Sequence, residues 1–484
     1  MASIKKNFAF NALLTTANYI FPMIVFPYVS RVLGVSNIGI CNYVDSIIQN
    51  FILISTMGIG IVGIREVVAA KHDRIQLNRT FSSIFYVNAL FTLVTIAALV
   101  ACAYVVDDFR EYRSLLFIGI AKLLGNFLMI EWFFRGLEDF RYITIRSILV
   151  RCAYVLSVFV LIQEPEDYPT YFTLTVGIFV ANAILNLIYG RRFVSLTLNP
   201  LPLTTFLKPI LILGVYMILT NLYFSFNTMW LGMETNDTQV GYFSTATKLF
   251  QIFIALFTAF TTVMLPRMTD YLKEGQYDVF RSMLSRTINV LFALAIPMVF
   301  YGIIYADDIV MVIAGPGYEQ AAMPMQICMP LLFVIGYEQI IVIQALMPMR
   351  KDKAILVNSI VGGSVALLLC FTIVGSLQAV GAAIVWLGSE VSTMICSSVL
   401  IHRYIGLGFP WKRMARTVLL NVPLVIVLYW LHGFEFFRTL QWGHFSAAAA
   451  GGLVLMTYTV TLLFFVVKDP MFVAAVNKIL KRGR

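Results

Sequence analysis

The sequence predicts an all-α integral membrane protein of about fourteen transmembrane helices, each about 20 residues or more. Composition, the length of its apolar runs and the sorting of its charges predict this. Of 484 residues, 60% are hydrophobic and only 12% are charged, where a soluble domain carries about 25% charged residues. Lys and Arg fall in alternate connecting segments, as the positive-inside rule requires. The expected architecture is two six-helix bundles, residues 1–200 and 201–405, related by pseudo-twofold symmetry. Two extra helices and a basic tail follow over 406–484.

In chain order, spans are expected over 8–30, 38–64, 80–105, 113–134, 142–163, 168–190 and 207–231. They continue over 240–265, 284–306, 324–348, 354–376, 380–402, 416–433 and 445–467. Met1–Asn7 is a short basic start running straight into the first span without a small-residue cleavage site, so no secretory leader is expected. Pro22 and Pro27 are expected to interrupt the first span, because proline removes a backbone donor and bends a helix. On the second, Asn42, Asp45, Gln49 and Thr56 recur at helical spacing and form a polar stripe that belongs against protein or water. The segments 191–209 and 267–285 are expected as polar linkers or amphipathic turns. With the N-terminus inside, the inner segments hold 28 of the 35 Lys and Arg; only Arg31, Arg110, Arg113 and Arg438 lie outside. That sorting requires an even number of spans and places both termini in the cytoplasm. The outer loops are acidic, including Asp107, Asp108, Asp237, Asp307 and Asp308, and read first as solvated.

A displacement of 202 residues lays the stretch 240–267 over 38–65: Gly39 falls on Gly241, Gln49 on Gln251, Phe51 on Phe253 and Arg65 on Arg267. Two halves with even span counts enter the membrane from the same side, so the axis relating them runs along the membrane normal.

Several functions are excluded. No Gly-x-x-x-x-Gly-Lys-Ser/Thr phosphate loop is present, so ATP is not bound in that way. The four histidines, His72, His402, His432 and His444, lie near span ends and form no nucleophile–base–acid set. The six cysteines sit in apolar runs without paired spacing, which argues against disulfides or a metal. The basic residues are topology signals, not a nucleic-acid surface. Transport is favoured over catalysis, and no cofactor is expected.

Ionisable groups inside the membrane cost several kcal/mol unless paired or hydrated (roughly 2.5 or more each), so they mark candidate sites. They are Asp45, Lys122, Glu131, Arg151, Lys248, Glu338 and Glu390. Asp45 can pair with Lys122 or Lys248, and Glu131 with Arg135 four residues on. Lys248 shares a helical face with Ser244 and Gln251, extended by Thr258 and Thr262; Lys122 and Asn126 are one turn apart. Cations among amides and hydroxyls suit a ligand carrying phosphate and sugar hydroxyls. Asn18, Asn221 and Asn227 either line the same cavity or bond neighbouring helices, and Arg31 either guards the outer exit or anchors the interface.

Four stretches resemble the polysaccharide flippases of the multidrug/oligosaccharidyl-lipid/polysaccharide exporter superfamily. They are Phe26-Pro-Tyr-Val-Ser-Arg31-Val-Leu-Gly34, Glu131-Trp-Phe-Phe-Arg-Gly-Leu-Glu-Asp-Phe140 with Tyr142–Ser147, Val240-Gly-Tyr-Phe-Ser-Thr-Ala-Thr-Lys248 through Arg267, and Gly315-Pro-Gly-Tyr318 leading to Gln344 and Arg350–Lys353. The resemblance implies a V-shaped pair of six-helix bundles in the bacterial inner membrane, with membrane lipids around it. It further implies movement of an undecaprenyl-pyrophosphate-linked oligosaccharide, as in O-antigen or capsule assembly, driven by an H+ or Na+ gradient. Cations matching Lys122 and Lys248 would meet pyrophosphate or acidic sugars. A polysaccharide polymerase and glycosyltransferases are the implied partners. The alternatives are a multidrug exporter or a peptidoglycan-precursor flippase of the same superfamily, and, less favoured because the loops are short, a membrane glycosyl-polymerase. The first and seventh spans lack the internal acids that the drug exporters use.

Overall fold

A lipid-spanning chain must satisfy its backbone within each segment, and helices do so. The computed structural model describes residues 4–197, 199, 204–434 and 443–462, and the regular structure among them is helical throughout. Contacts divide the chain into two units, Met1–Ser244 and Thr245–Arg484.

The first unit holds α1 (Ile4–Thr56), α2 (Ile59–Ala70), α3 (Arg74–Val105), α4 (Arg113–Leu128), α5 (Glu131–Gly136), α6 (Phe140–Leu161), α7 (Tyr168–Gly190), α8 (Thr204–Asn221) and α9 (Asn227–Glu234), with a π-helical turn Leu222–Phe226 between the last two. Helix α10 (Asp237–Lys273) carries the boundary within it. The second unit continues with α11 (Tyr277–Ile304), α12 (Ala306–Ile313), α13 (Ala322–Cys328), α14 (Leu331–Gln339), a π-helical turn Ile340–Leu346, α15 (Asp352–Ile405), α16 (Trp411–Leu420), α17 (Val422–His432) and α18 (Gly443–Thr461). Among the described residues nine stretches are long and apolar enough to cross a membrane, or ten if the bent pair Thr204–Leu219 and Phe224–Glu234 is one span. Two of the nine, Leu13–Ala70 and Asp352–Ile405, are of double length. Backbone breaks divide them, at Gly34 (φ 75°, ψ 169°) and at Gln378 (φ 54°, ψ −131°). Each expected span therefore overlies helix; only 463–467 of the last, with the basic tail, falls outside the described residues.

Polarity is turned inside out relative to a soluble protein. On α3, Thr80, Ser83, Asn88, Thr92 and Thr95 are buried, while Leu90, Leu93 and Val94 face outward. Lipid replaces water on the outer face, so packing and hydrogen bonds are kept for the interior. Where α3 begins, the Asp73 carboxylate caps it by accepting from Ile75 N and Gln76 N at 2.8 and 3.2 Å.

Several sequence expectations are corrected. Pro22 and Pro27 lie inside continuous helix, and the break falls later, at Gly34, whose positive φ glycine tolerates without a Cβ clash. The span 38–64 is interrupted at Met57 (φ 36°) and Gly58. Gly58 N donates to the Ile210 carbonyl of α8 at 3.2 Å, so a neighbouring helix takes over the interrupted ladder. The span 113–134 breaks at Ile130 (φ 38°), and α5 then delivers Trp132, Phe133 and Phe134 into the core of the first unit. Trp132 stacks on Phe81 of α3 at 5.6 Å, with Gly63 of α2 leaving room for its ring. The segment 267–285, expected as a linker, is mostly helix: α10 runs on to Lys273 and α11 starts at Tyr277. Cys152 is exposed and not buried.

The repeat leaves a physical trace inside the first unit. A Cβ on Gly39 would overlap the Asp237 carbonyl, and a Cβ on Gly241 would overlap the Val35 carbonyl. Val35 and Asp237 are themselves equivalent under the 202-residue displacement. The contact is thus reciprocal between the two stretches.

Candidate functional site

Lys122 sits on α4 between Gly119 and Gly125, one turn to either side. Neither glycine carries a side chain, so Ile48 of α1 packs onto the first and the Phe179 backbone of α7 onto the second. This close packing buries the lysine. Its side chain is 6% exposed, whereas that of Asp45, its ion-pair partner on α1, is 43% exposed. The Phe179 ring lies 4.8 Å from the ammonium and adds a cation–π contact. Burial of an ammonium is tolerated only with such compensation. Lys122 therefore takes the carboxylate that the sequence left open between it and Lys248. The base is sequestered and the acid is the accessible member.

Around the pair, Gln49 and Asn126 are half-buried. Asn50 Nδ2 donates to the Ser46 carbonyl at 2.8 Å and approaches Met229 Sδ at 3.9 Å. Asn221 Nδ2 donates to the Met217 carbonyl of its own helix at 2.8 Å. Arg31 is exposed and folds back on α1, its Nη1 donating to the Pro27 carbonyl at 2.6 Å.

A second polar cluster lies toward the basic end. Glu131 and Arg135 form the expected pair at 2.6 Å. Arg146, absent from the candidate charges although it lies within the expected span 142–163, is buried on α6. It bonds Asn186, donates to Ser147 Oγ at 2.9 Å and lies 3.5 Å from Glu131. Arg151, five residues on and half-buried, adds its charge to Glu131 and Arg146. The signal available in sequence was spacing: Arg146 lies on one face of α6 with Ile143 and Ser147, both buried.

At the acidic end, Tyr112 donates its hydroxyl to both carboxylate oxygens of Asp237 at 2.9 Å, and its ring meets Tyr43 edge-on at 5.0 Å. Asp237 was expected to be solvated. Burial raises its pKa above the ordinary carboxylate value, and the Tyr112 hydrogen bond opposes that shift.

Within the second unit, Lys248 and Gln251 are half-buried on α10; the side chains of Thr258 and Thr262 lie outside those described. Glu338 Oε1 accepts from Asn358 Nδ2 at 2.9 Å, two residues before the π-helical turn 340–346. Glu390 is buried, and Thr393 Oγ1 donates to its carbonyl at 2.8 Å. A further cluster escaped the sequence reading. Asp308 is 1% exposed and lies between His444 Nδ1 at 2.6 Å and His432 Nε2 at 3.2 Å. More than 100 residues separate it from both histidines, beyond the reach of local spacing.

Among the described residues the fold is helical and multi-pass, apolar outside with ion pairs and hydroxyls turned inward, an architecture that membrane transporters use. Residues 4–272 match the family described as polysaccharide biosynthesis protein. A protein of Escherichia coli (strain K12) named as an O-antigen transporter is 23% identical over 400 residues, covering 80% of this chain and 94% of that one. One of Shigella dysenteriae with the same name is 25% identical over 395 residues, covering 80% and 97%. Among solved structures, the lipid II flippase MurJ in an inward closed conformation has the same fold, with a TM-score of 0.77 at 13% identity over 96% of this chain and all of that one. An inward-facing multidrug resistance transporter of the MATE family gives 0.61 at 14% identity over 80% and 94%. The chain belongs to the polysaccharide biosynthesis protein family. Its relatives are named as transporters and flippases and not as enzymes.

Proposed function

We propose that the protein carries an undecaprenyl-pyrophosphate-linked oligosaccharide repeat unit from the inner to the outer leaflet of the bacterial inner membrane. Both termini then face the cytoplasm. The observation that carries this reading is the Asp45–Lys122 pair, a buried ammonium whose counter-ion is within reach of solvent. An arriving pyrophosphate competes with Asp45 for the ammonium and releases it again when the acid returns. Such a two-state pair suits alternating access, because a ligand shifts the balance only by binding the two states unequally. The transport class agrees with the family match over residues 4–272. Coupling to an H+ or Na+ gradient, with a polymerase and glycosyltransferases as partners, belongs to the same proposal. Against drug export, the helix 4–33 carries no acidic residue.

The test is a deletion strain scored for lipid-linked repeat units on the inner leaflet and polysaccharide at the surface. Complementation with the wild type should clear the first and restore the second. Lys122→Ala and Lys248→Ala, inserted at normal levels, should do neither. Normal surface polysaccharide in the deletion strain, together with new drug sensitivity, overturns the proposal in favour of an exporter.

A further inference from the structure

Helix α16 opens with Trp411-Lys412-Arg413 and is strongly two-faced. Lys412, Arg413 and Arg416 mark one side, and Met414 and Val418 the other. Where α16 begins, a cavity of about 460 Å³ is lined by Ser285 and Ile288 of α11 and by Phe409, Trp411, Lys412 and Arg413. Arg413 Nη1 bonds Ser285 Oγ and reaches Asn289 Oδ1 at 3.3 Å, which fixes the guanidinium at the mouth. Arg281 packs against Gly406, whose absent Cβ would come 2.8 Å from its Nη2.

A smaller cavity of about 140 Å³ follows, lined only by apolar side chains. Ile296, Val299 and Phe300 of α11 face Met414 and Val418 of α16 across it. Along α11 the step from Ile288 to Ile296 is about 12 Å at 1.5 Å per residue. The rings of Phe333 and Phe409, one from each cavity, stand 6.3 Å apart. The two cavities thus follow one another along α11 and α16, the first lined in part by Lys412 and Arg413 and the second by apolar side chains only. Trp411, 64% exposed, has the position of an interfacial anchor.

We propose that the two cavities together are a binding site for a resident anionic glycerophospholipid. Its phosphate rests between Lys412 and Arg413, and one acyl chain fills the slot between α11 and α16. Basic pockets on the cytoplasmic side of helix bundles recognise anionic headgroups by this combination of charge and apolar contact. The site lies wholly within the second unit and is independent of what the protein transports.

The experiment uses the full chain in detergent and native mass spectrometry after addition of phosphatidylglycerol or phosphatidylethanolamine. Phosphatidylglycerol should be retained about thirtyfold better, from roughly 1 kcal/mol for each of the two basic residues. The double variant K412Q/R413Q should lose that preference. Met414→Trp keeps both charges and fills the slot, and should also weaken retention. If the double variant is not monodisperse, Lys412→Gln alone decides, because that side chain is exposed. Equal retention of the two lipids, or unchanged retention in the variants, overturns the proposal. So does full displacement of phosphatidylglycerol by millimolar inorganic phosphate, which would make this a site for the free ion.

Discussion

Asp45 and Asp308 each meet nitrogen bases, but with opposite exposure. In the first unit the base is buried (Lys122, 6%) and the acid open (Asp45, 43%). In the second the acid is buried (Asp308, 1%) and the bases more open (His432, 20%; His444, 51%). The difference follows from what each element had to bury. Glycines flanking Lys122 draw α1 and α7 onto α4 and enclose the ammonium. Asp308 opens α12, where Tyr305 and the ends of α17 and α18 converge on it. An open acid on a buried base can exchange its partner for a ligand. A buried acid held from two sides is a clamp, and it fixes the appended helices α17 and α18 to the body of the second unit. Under the proposed function the first pair moves, while the second holds.

Four outcomes break or sharpen that comparison. Asp45→Ala should have the largest effect, about 3 kcal/mol of stability, because it strands a buried charge. Lys122→Met should cost far less, since an apolar side chain of similar length removes the charge with the pair. Thermal unfolding in detergent separates the two, and equal losses would show that the ammonium is hydrated and not buried. Next, Gly241→Val should cost about 1–3 kcal/mol through overpacking against the Val35 carbonyl. Gly34→Ala, where no atom waits within 4 Å, should show only the strain of a positive φ. Third, Asp308→Ala should cost about 1–3 kcal/mol by leaving two imidazoles without their acceptor. If α18 is held elsewhere, proteolysis between α17 and α18 will be unchanged in this variant; the clamp predicts faster cleavage.

The smallest effect concerns Asp237. Burial raises its folded pKa above the unfolded value, so its contribution is fully present below the ordinary carboxylate pKa, about 3.9. That contribution is lost as pH rises through the raised folded value. Wild type should therefore lose stability relative to Asp237→Asn as pH is taken upward from about 4. The Tyr112 hydrogen bond offsets part of the loss, so Tyr112→Phe should steepen it. Parallel melting profiles for all three proteins would place Asp237 in water.

How far the candidate site was legible varies residue by residue. Asp45, Lys122 and Glu131 stood out because each charge lies inside an apolar run, and partners four residues apart, such as Glu131 and Arg135, follow from helix geometry. Arg146 did not, because it lies near the edge of its run and its enclosure depends on Asn186, 40 residues away. Asp308 was taken for a loop acid because its partners lie beyond position 430. The prolines misled for a related reason. Proline marks where a helix can bend, but in α1 the bend falls at Gly34, where glycine allows a positive φ.

By itself the sequence determined the all-helical membrane class and which charges lie inside apolar runs. Hydropathy and helical period are local properties, and lipid enforces them segment by segment. Only the tertiary structure decided which charges meet and which member of a pair faces water. It also decided that Gly39 and Gly241, equivalent in the repeat, cross within reach of each other's carbonyl neighbours. Those outcomes depend on how closely helices approach, and that is set by side chains supplied from distant parts of the chain.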